Sequence, residues 1–132
     1  MAIHDAVYTK LSQLVSGRVY AQMAPQGSLL PRITWFITSG DIPKHLLGSG
    51  GLANYDIQID CWGSTSIDAT ALGTACRALI ENNRGVQWGN DTVSQVWINN
   101  RIDGSEQSAD GTETPYYRST LIASIWIIER TY

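Results

Sequence analysis

Apolar residues at Ile3, Val7, Leu11, Leu14 and Val15 recur at three- and four-residue steps, and Ser16-Gly17 follows as a stop. Residues 2–15 therefore read as an amphipathic helix with one stripe to bury. From Val19 the period changes to two. Val19–Met23, Arg32–Ser39 and Ala53–Trp62 read as strands, the last with Tyr55, Ile57, Ile59 and Cys61 alternating against Asn54, Asp56, Gln58 and Asp60. One face of that strand is core and the other meets water. After Gly63, Thr65 and Asp68 stand at capping-box spacing, and Ile67, Ala71, Leu72, Ala75, Ala78 and Leu79 form a stripe that ends at Gly85. Alanine on that stripe lets the helix backbone come close to a sheet with little side-chain entropy to lose. Val86–Trp88 reads as a brief strand, and Thr92–Ile102 and Tyr116–Arg130 as two long ones joined by the polar run DGSEQSADGTETP.

Strands clustered between two helices, with short or hairpin-like connections, predict an α+β fold: an antiparallel sheet of about five to six strands with both helices packed on one face. No internal repeat and no linker divides the chain, so residues 1–132 are expected to form a single domain. Two segments reach outward. Residues 39–52, SGDIPKHLLGSGGL, place Ile42, Leu46 and Leu47 inside a polar, Gly-rich arm, which either folds back on its own sheet or docks on a neighbouring subunit. Residues 103–114 carry four acidic and no basic side chains, the pattern of a solvated loop or of one that orders within an assembly.

The final strand is apolar on both faces. Leu121, Ala123, Ile125 and Ile127 share one side, while Ile122, Trp126 and Ile128 occupy the other. Either loops of the same chain shield that second side, or it is a subunit interface.

Charge and composition narrow the classes. A net charge of −3, a pI near 5.2 and singly scattered basic residues leave no electrostatic footprint for capturing nucleic acid. No segment has the ~20 apolar residues that span a bilayer, and MAIHDAVYTK lacks the basic-then-apolar order of a signal peptide, so a cytoplasmic protein with no membrane partner is expected. Cys61 and Cys76 are expected to be buried free thiols, since two cysteines do not make the framework of a small secreted fold.

Catalytic patterns are missing. His4 and His45 fall in different elements with no ligand-spaced Cys or His, so no metal site follows. Asp56 and Asp60 share a strand face, but their Cα atoms are roughly 13 Å apart at ~3.3 Å per residue, wider than a glycosidase pair. They read as a solvated face. Neither a G-x-S-x-G elbow nor a cysteine with a histidine nearby is present, and Gly48-Ser49-Gly50-Gly51 lacks the Lys of a phosphate loop. No cofactor and no enzymatic activity are expected. Five tryptophans, without basic residues around them, read as core and interface anchors more than as a base-stacking platform.

Taken in order, the G-R-V-Y step at Gly17–Tyr20, the A-P-Q-G-S-L-L-P-R-I loop at Ala24–Ile33, and the alternating strand Tyr55–Trp62 leading into an Ala-rich helix make a set. That set resembles the small tail-completion, or tail-terminator, proteins of long-tailed bacteriophages and related gene-transfer particles, over nearly the whole chain. It departs from them at Trp88-Gly89-Asn90-Asp91 and in the length of the acidic loop. The resemblance implies a virion structural protein without catalytic residues, assembled in the bacterial cytoplasm and located at the junction of tail and neck. It implies a six-fold homo-oligomeric ring that caps the tail tube, ends its elongation and meets the head-side connector or stopper protein, with DNA only passing through the lumen. Ile42, Leu46 and Leu47 carry over as intersubunit contacts, joined by Ile122, Trp126 and Ile128 from the two-faced strand. An acidic wall suits such a conduit because it repels phosphates. A head-completion or neck connector protein is the alternative within the structural class, and a small monomeric binding domain or enzyme without a recognisable motif is the one outside it.

Overall fold

The structure is a computed structural model that describes residues 2–15, 17–21, 30–41, 44–45, 48–49, 52–82, 85–88, 91–106 and 116–128. In chain order the elements are α1 (Ala2–Val15), β1 (Val19–Ala21), β2 (Arg32–Asp41), β3 (Lys44–His45), β4 (Gly48–Ser49), β5 (Leu52–Gly63), α2 (Ser66–Glu81), β6 (Val86–Trp88), β7 (Asp91–Glu106) and β8 (Tyr116–Ile128). Six strands form one sheet in the order β1-β2-β5-β8-β7-β6, and β3 and β4 pair separately as a small hairpin within the arm. The expected α+β architecture is present. It departs from the expected all-antiparallel sheet at one edge, where β1 runs parallel to β2 through Val19–Ile33, Tyr20–Thr34 and Ala21–Trp35. The physical reason is the connection: residues 22–31 are long enough to return the chain to the end where β1 began, whereas a tight hairpin would have reversed it.

Both helices lie on the same side of the sheet. α2 covers the central strands β5, β8 and β7, and α1 reaches from β1 at one edge to β6 at the other while touching α2. The core between the layers joins Ala6, Val7, Leu11 and Val15 of α1, Leu72, Cys76 and Ile80 of α2, and the inward row of each long strand: Ile33 and Trp35; Tyr55, Ile57, Ile59 and Cys61; Val93 and Val96; Leu121, Ala123, Ile125 and Ile127. Period-two alternation puts all of these on one face, as the sequence of β5 and β8 required.

The capping prediction for α2 holds, because Thr65 is extended (φ −132, ψ 162) and its side chain accepts from the Asp68 amide at 3.1 Å. The predicted face does not. Ala69, Leu72, Gly73, Cys76 and Ile80 are buried, while Ile67 is 81 % exposed and Ala71, Ala75 and Ala78 face outward. The helix is rolled so that Gly73 meets the sheet between Ala69, Leu72, Cys76 and Ile80. A Cβ at Gly73 would stand 2.6 Å from Ser119 Cβ on β8, so this contact admits only hydrogen. A Cβ at Gly63 would likewise meet the Ala69 amide at 2.6 Å, and Gly63 thereby allows α2 to start directly against the end of β5. Close backbone approach, not side-chain hydrophobicity, sets the orientation of this helix.

The last hairpin is longer than predicted. β7 continues to Glu106, which pairs with Tyr116, so residues 103–106 of the expected acidic loop are strand. Cross-strand pairing with Tyr116–Ser119 of β8 outweighs the polar composition of that stretch.

Candidate interaction surface

The side of the sheet that neither helix covers carries every sequence-predicted contact the structure describes. Pairing register lays it out in rows: Arg32–Trp62–Arg118; Thr34–Asp60–Thr120–Ile102; Phe36–Gln58–Ile122–Asn100; Asp56–Ser124–Trp97; and Asn54–Trp126–Gln95. Ile122 and Trp126 are both half-buried here, four residues apart along β8 with Ser124 between them on the same face. Ile42, Leu46 and Leu47 lie outside the described residues, as does the side chain of Ile128.

A polar seam runs through the middle of this face. The Thr120 hydroxyl donates to Asp60 Oδ1 at 2.5 Å, and the Gln58 amide nitrogen lies 3.3 Å from Asp60 Oδ2. Ser124 donates to Asp56 Oδ1 at 2.5 Å and accepts from Asn99 Nδ2 at 2.9 Å. The expectation of solvated carboxylates is thus corrected for Asp60, which is only 6 % exposed because its neighbours on the adjacent strands close over it. Buried carboxylates need such partners to offset lost hydration.

At one end of the face Trp62 stands between two guanidinium groups, Arg32 at 5.7 Å and Arg118 at 5.8 Å from the ring centroid. Its indole nitrogen donates to Thr34 Oγ1 at 2.9 Å. Toward the β7 edge, Trp97 is 47 % and Ile102 55 % exposed. The sequence pattern marks the tryptophans collectively as core and interface anchors but does not say which serve which, nor point to Arg32, Arg118 or Ile102, because only strand order tells which residues from β2, β5, β8 and β7 share a row. Of the five tryptophans, Trp35 and Trp88 belong to the buried set, with Lys10 Nζ 6.0 Å from the Trp88 ring centroid, while Trp62, Trp97 and Trp126 remain on the uncovered face.

On the helix side, Arg101 of β7 is clamped by α2: its guanidinium donates to Thr74 Oγ1 at 2.9 Å and to the Thr70 carbonyl at 2.8 Å, and reaches Asp103 Oδ1 at 3.3 Å. The Ser119 hydroxyl donates to the same Asp103 oxygen at 2.6 Å. That hydrogen bond first, and the Arg101 charge second, hold the Asp103 carboxyl below its ordinary pKa of 3.8. Cys61 and Cys76 are buried and unbridged, as expected, and face each other between β5 and α2. The hydrogen bond to Cys76, together with burial, pushes the Cys61 thiol well above its usual range.

Among the described residues, two hollows, of about 220 Å³ beside Thr70, Asp103 and Arg118 and about 320 Å³ beside Pro31, Asp68 and Leu72, are lined by neither His nor Cys. Among the described residues no group of three His, Cys, Asp or Glu could hold a metal ion, and no helix is long and apolar enough to cross a membrane.

No curated protein sequence matches the chain. A chain in the structure of a native gene transfer agent virion has the same fold, with a TM-score of 0.56 at 15 % identity, covering 96 % of this chain and 91 % of that one. A second solved structure aligns with a TM-score of 0.58, also at 15 % identity, over 99 % of this chain and 95 % of its own. The model of the family described as tail completion protein gp17 matches residues 2–121, and the chain belongs to that family.

Proposed function

We propose that this protein is a virion structural component that forms a six-fold ring, caps the finished tail tube, ends its growth and joins the tube to the head-side connector or stopper protein. The observation that carries the reading is the family match over residues 2–121. The shared fold with a chain of a gene transfer agent virion is in keeping with it. A cyclic ring needs two different, mutually complementary patches on each subunit, because head-to-tail contacts close only when the rotation fits. Ile122 and Trp126 on the uncovered sheet face supply part of one patch, continued by Ile128, and the arm with Ile42, Leu46 and Leu47 supplies the other. A half-exposed face holding Trp62, Trp97 and Trp126 has the aromatic content of a contact surface. The protein has no catalytic task in this reading. It is assembled in the host cytoplasm, comes to rest at the junction of tail and neck, and lets DNA pass through its lumen, whose wall the acidic composition keeps from binding phosphate.

The experiment is the mass of the purified protein in solution, followed by its mass and negative-stain appearance after mixing with assembled tail tubes. Rings, or caps at tube ends, are the expected result. A monomer that ignores tubes overturns the proposal and leaves a monomeric binding domain. Caps that form on portals and not on tubes assign the protein to head completion instead.

A further inference from the structure

Among the described residues, the two long strands next to the sheet edges, β2 and β7, each keep a stretch of backbone beyond the short edge strand that pairs with it. Among the described residues, β7 is paired on its outer side only at Asp91–Val93, by β6, and β2 only at Ile33–Trp35, by β1. Gln95–Glu106 of β7 and Phe36–Asp41 of β2 thus have no outer strand among the described residues. The Arg101 amide illustrates the consequence: it donates to the Asn100 side-chain oxygen at 2.8 Å, a side chain standing where a strand partner would be. Open edges of this length are templates for another chain, and proteins that stay single usually blunt them. Here Ile102, 55 % exposed, and Trp97, 47 % exposed, lie on the open strand itself. The irregularities that do occur, between Ile37 and Ser39 and between Ile98 and Asn100, distort each edge locally and restrict which register can pair.

We propose that copies of this chain join edge to edge, the open part of β7 in one copy pairing antiparallel with the open part of β2 in the next, so that the sheet continues from subunit to subunit. This rests on the ring reading above. The direction follows from the topology: β2 and β5, β5 and β8, and β8 and β7 are each antiparallel, so β7 and β2 run oppositely and the alternation is kept across the junction. The two edges are also covered at opposite ends. β6 covers the end of β7 level with Ile127, whereas β1 covers the end of β2 level with Cys61 and Ser119. β1 of the second copy clears β7 of the first only if the copies are displaced along the strand direction. Such a stagger between successive strands, with the strand tilt it entails, is what closes a sheet into a barrel instead of leaving it open. Because β7 and β2 are different edges of one sheet, the contact is head-to-tail and suited to a closed ring.

Cysteine pairs test it. One batch of protein carries Thr38→Cys and another Gly104→Cys; Thr38 is exposed on the β2 edge, and a side chain at Gly104 on the β7 edge meets nothing within 4 Å. The native cysteines are buried and should not compete. The batches are mixed, assembled alone or on tail tubes, and treated with a short bis-maleimide, with mass and circular dichroism recorded on each variant; Ile102→Cys replaces Gly104→Cys should that variant lose its fold. Mixed dimers joining position 38 to position 104 should exceed like-with-like dimers several-fold. Assemblies that form but give no mixed dimers, or only like-with-like ones, overturn edge pairing and leave the ring standing. No assembly on any template overturns the ring and this inference with it.

Discussion

Asp60 illustrates how a residue can be placed correctly on a face and still be misread. Alternation along β5 put it opposite the core, where it is, but its burial depends on Thr34 and Thr120 from strands distant in sequence. Asp103 presents a simpler case, exposed over half its side chain and held below its ordinary pKa of 3.8 by the Ser119 hydroxyl and then by Arg101. A carboxyl with a depressed folded-state pKa contributes stability above its unfolded value, and loses it as pH falls through the folded one. Wild-type protein should therefore lose stability more steeply than Asp103→Asn as pH drops below about 4, a difference that urea titrations at successive pH values would resolve. Cys61 runs the other way. Its thiol is pushed up by the hydrogen bond to Cys76 and by burial, so both cysteines should resist maleimide in native protein and react only on unfolding, as mass spectrometry would record. Gly73 is the tightest point between helix and sheet. Gly73→Ala gains about 1 kcal/mol of helix propensity but must separate α2 from Ser119, and overpacking of this kind costs about 1–3 kcal/mol. A lower thermal midpoint is expected.

Among the elements, α2 shows best what pattern alone conveys. Its start was legible because a cap is a local matter: Thr65 binds an amide three residues on, and Thr65→Ala should cost about 1 kcal/mol in chemical denaturation. Its buried side was not legible. Ile67 and the alanines formed a plausible stripe, but the shape of β5 and β8 favours the roll that seats Gly73 and Cys76, leaving Ile67 in solvent. A hydrophobic stripe says that a face is buried; the partner's relief decides which of two neighbouring faces it is. The same applies to the end of β7. Residues 103–106 have the composition of a loop and become strand because Tyr116–Ser119 lie opposite them.

At the scale of the molecule, the two faces of β8 differ in burial, one row lying under the helices and the other on the uncovered side of the sheet. Ile125 is fully buried under the helices, and Ile125→Ala should cost about 2–5 kcal/mol, read as a lower denaturation midpoint. Trp126, next in the chain and half-buried on the opposite face, should give a smaller loss when changed to Ala and a larger defect in capping tail tubes. The sequence by itself determined the helix and strand order, the alternation of β5 and β8, the cap of α2 and the burial of both cysteines, because each follows from near neighbours or from periodicity. It also indicated the family, through short motifs in a given order. Only the tertiary structure decided the parallel pairing of β1, the roll of α2, the enclosure of Asp60, the Arg32–Trp62–Arg118 stack and which parts of β2 and β7 are paired by β1 and β6. Each of those depends on which distant strands become neighbours, and that is settled by packing the whole sheet against both helices at once.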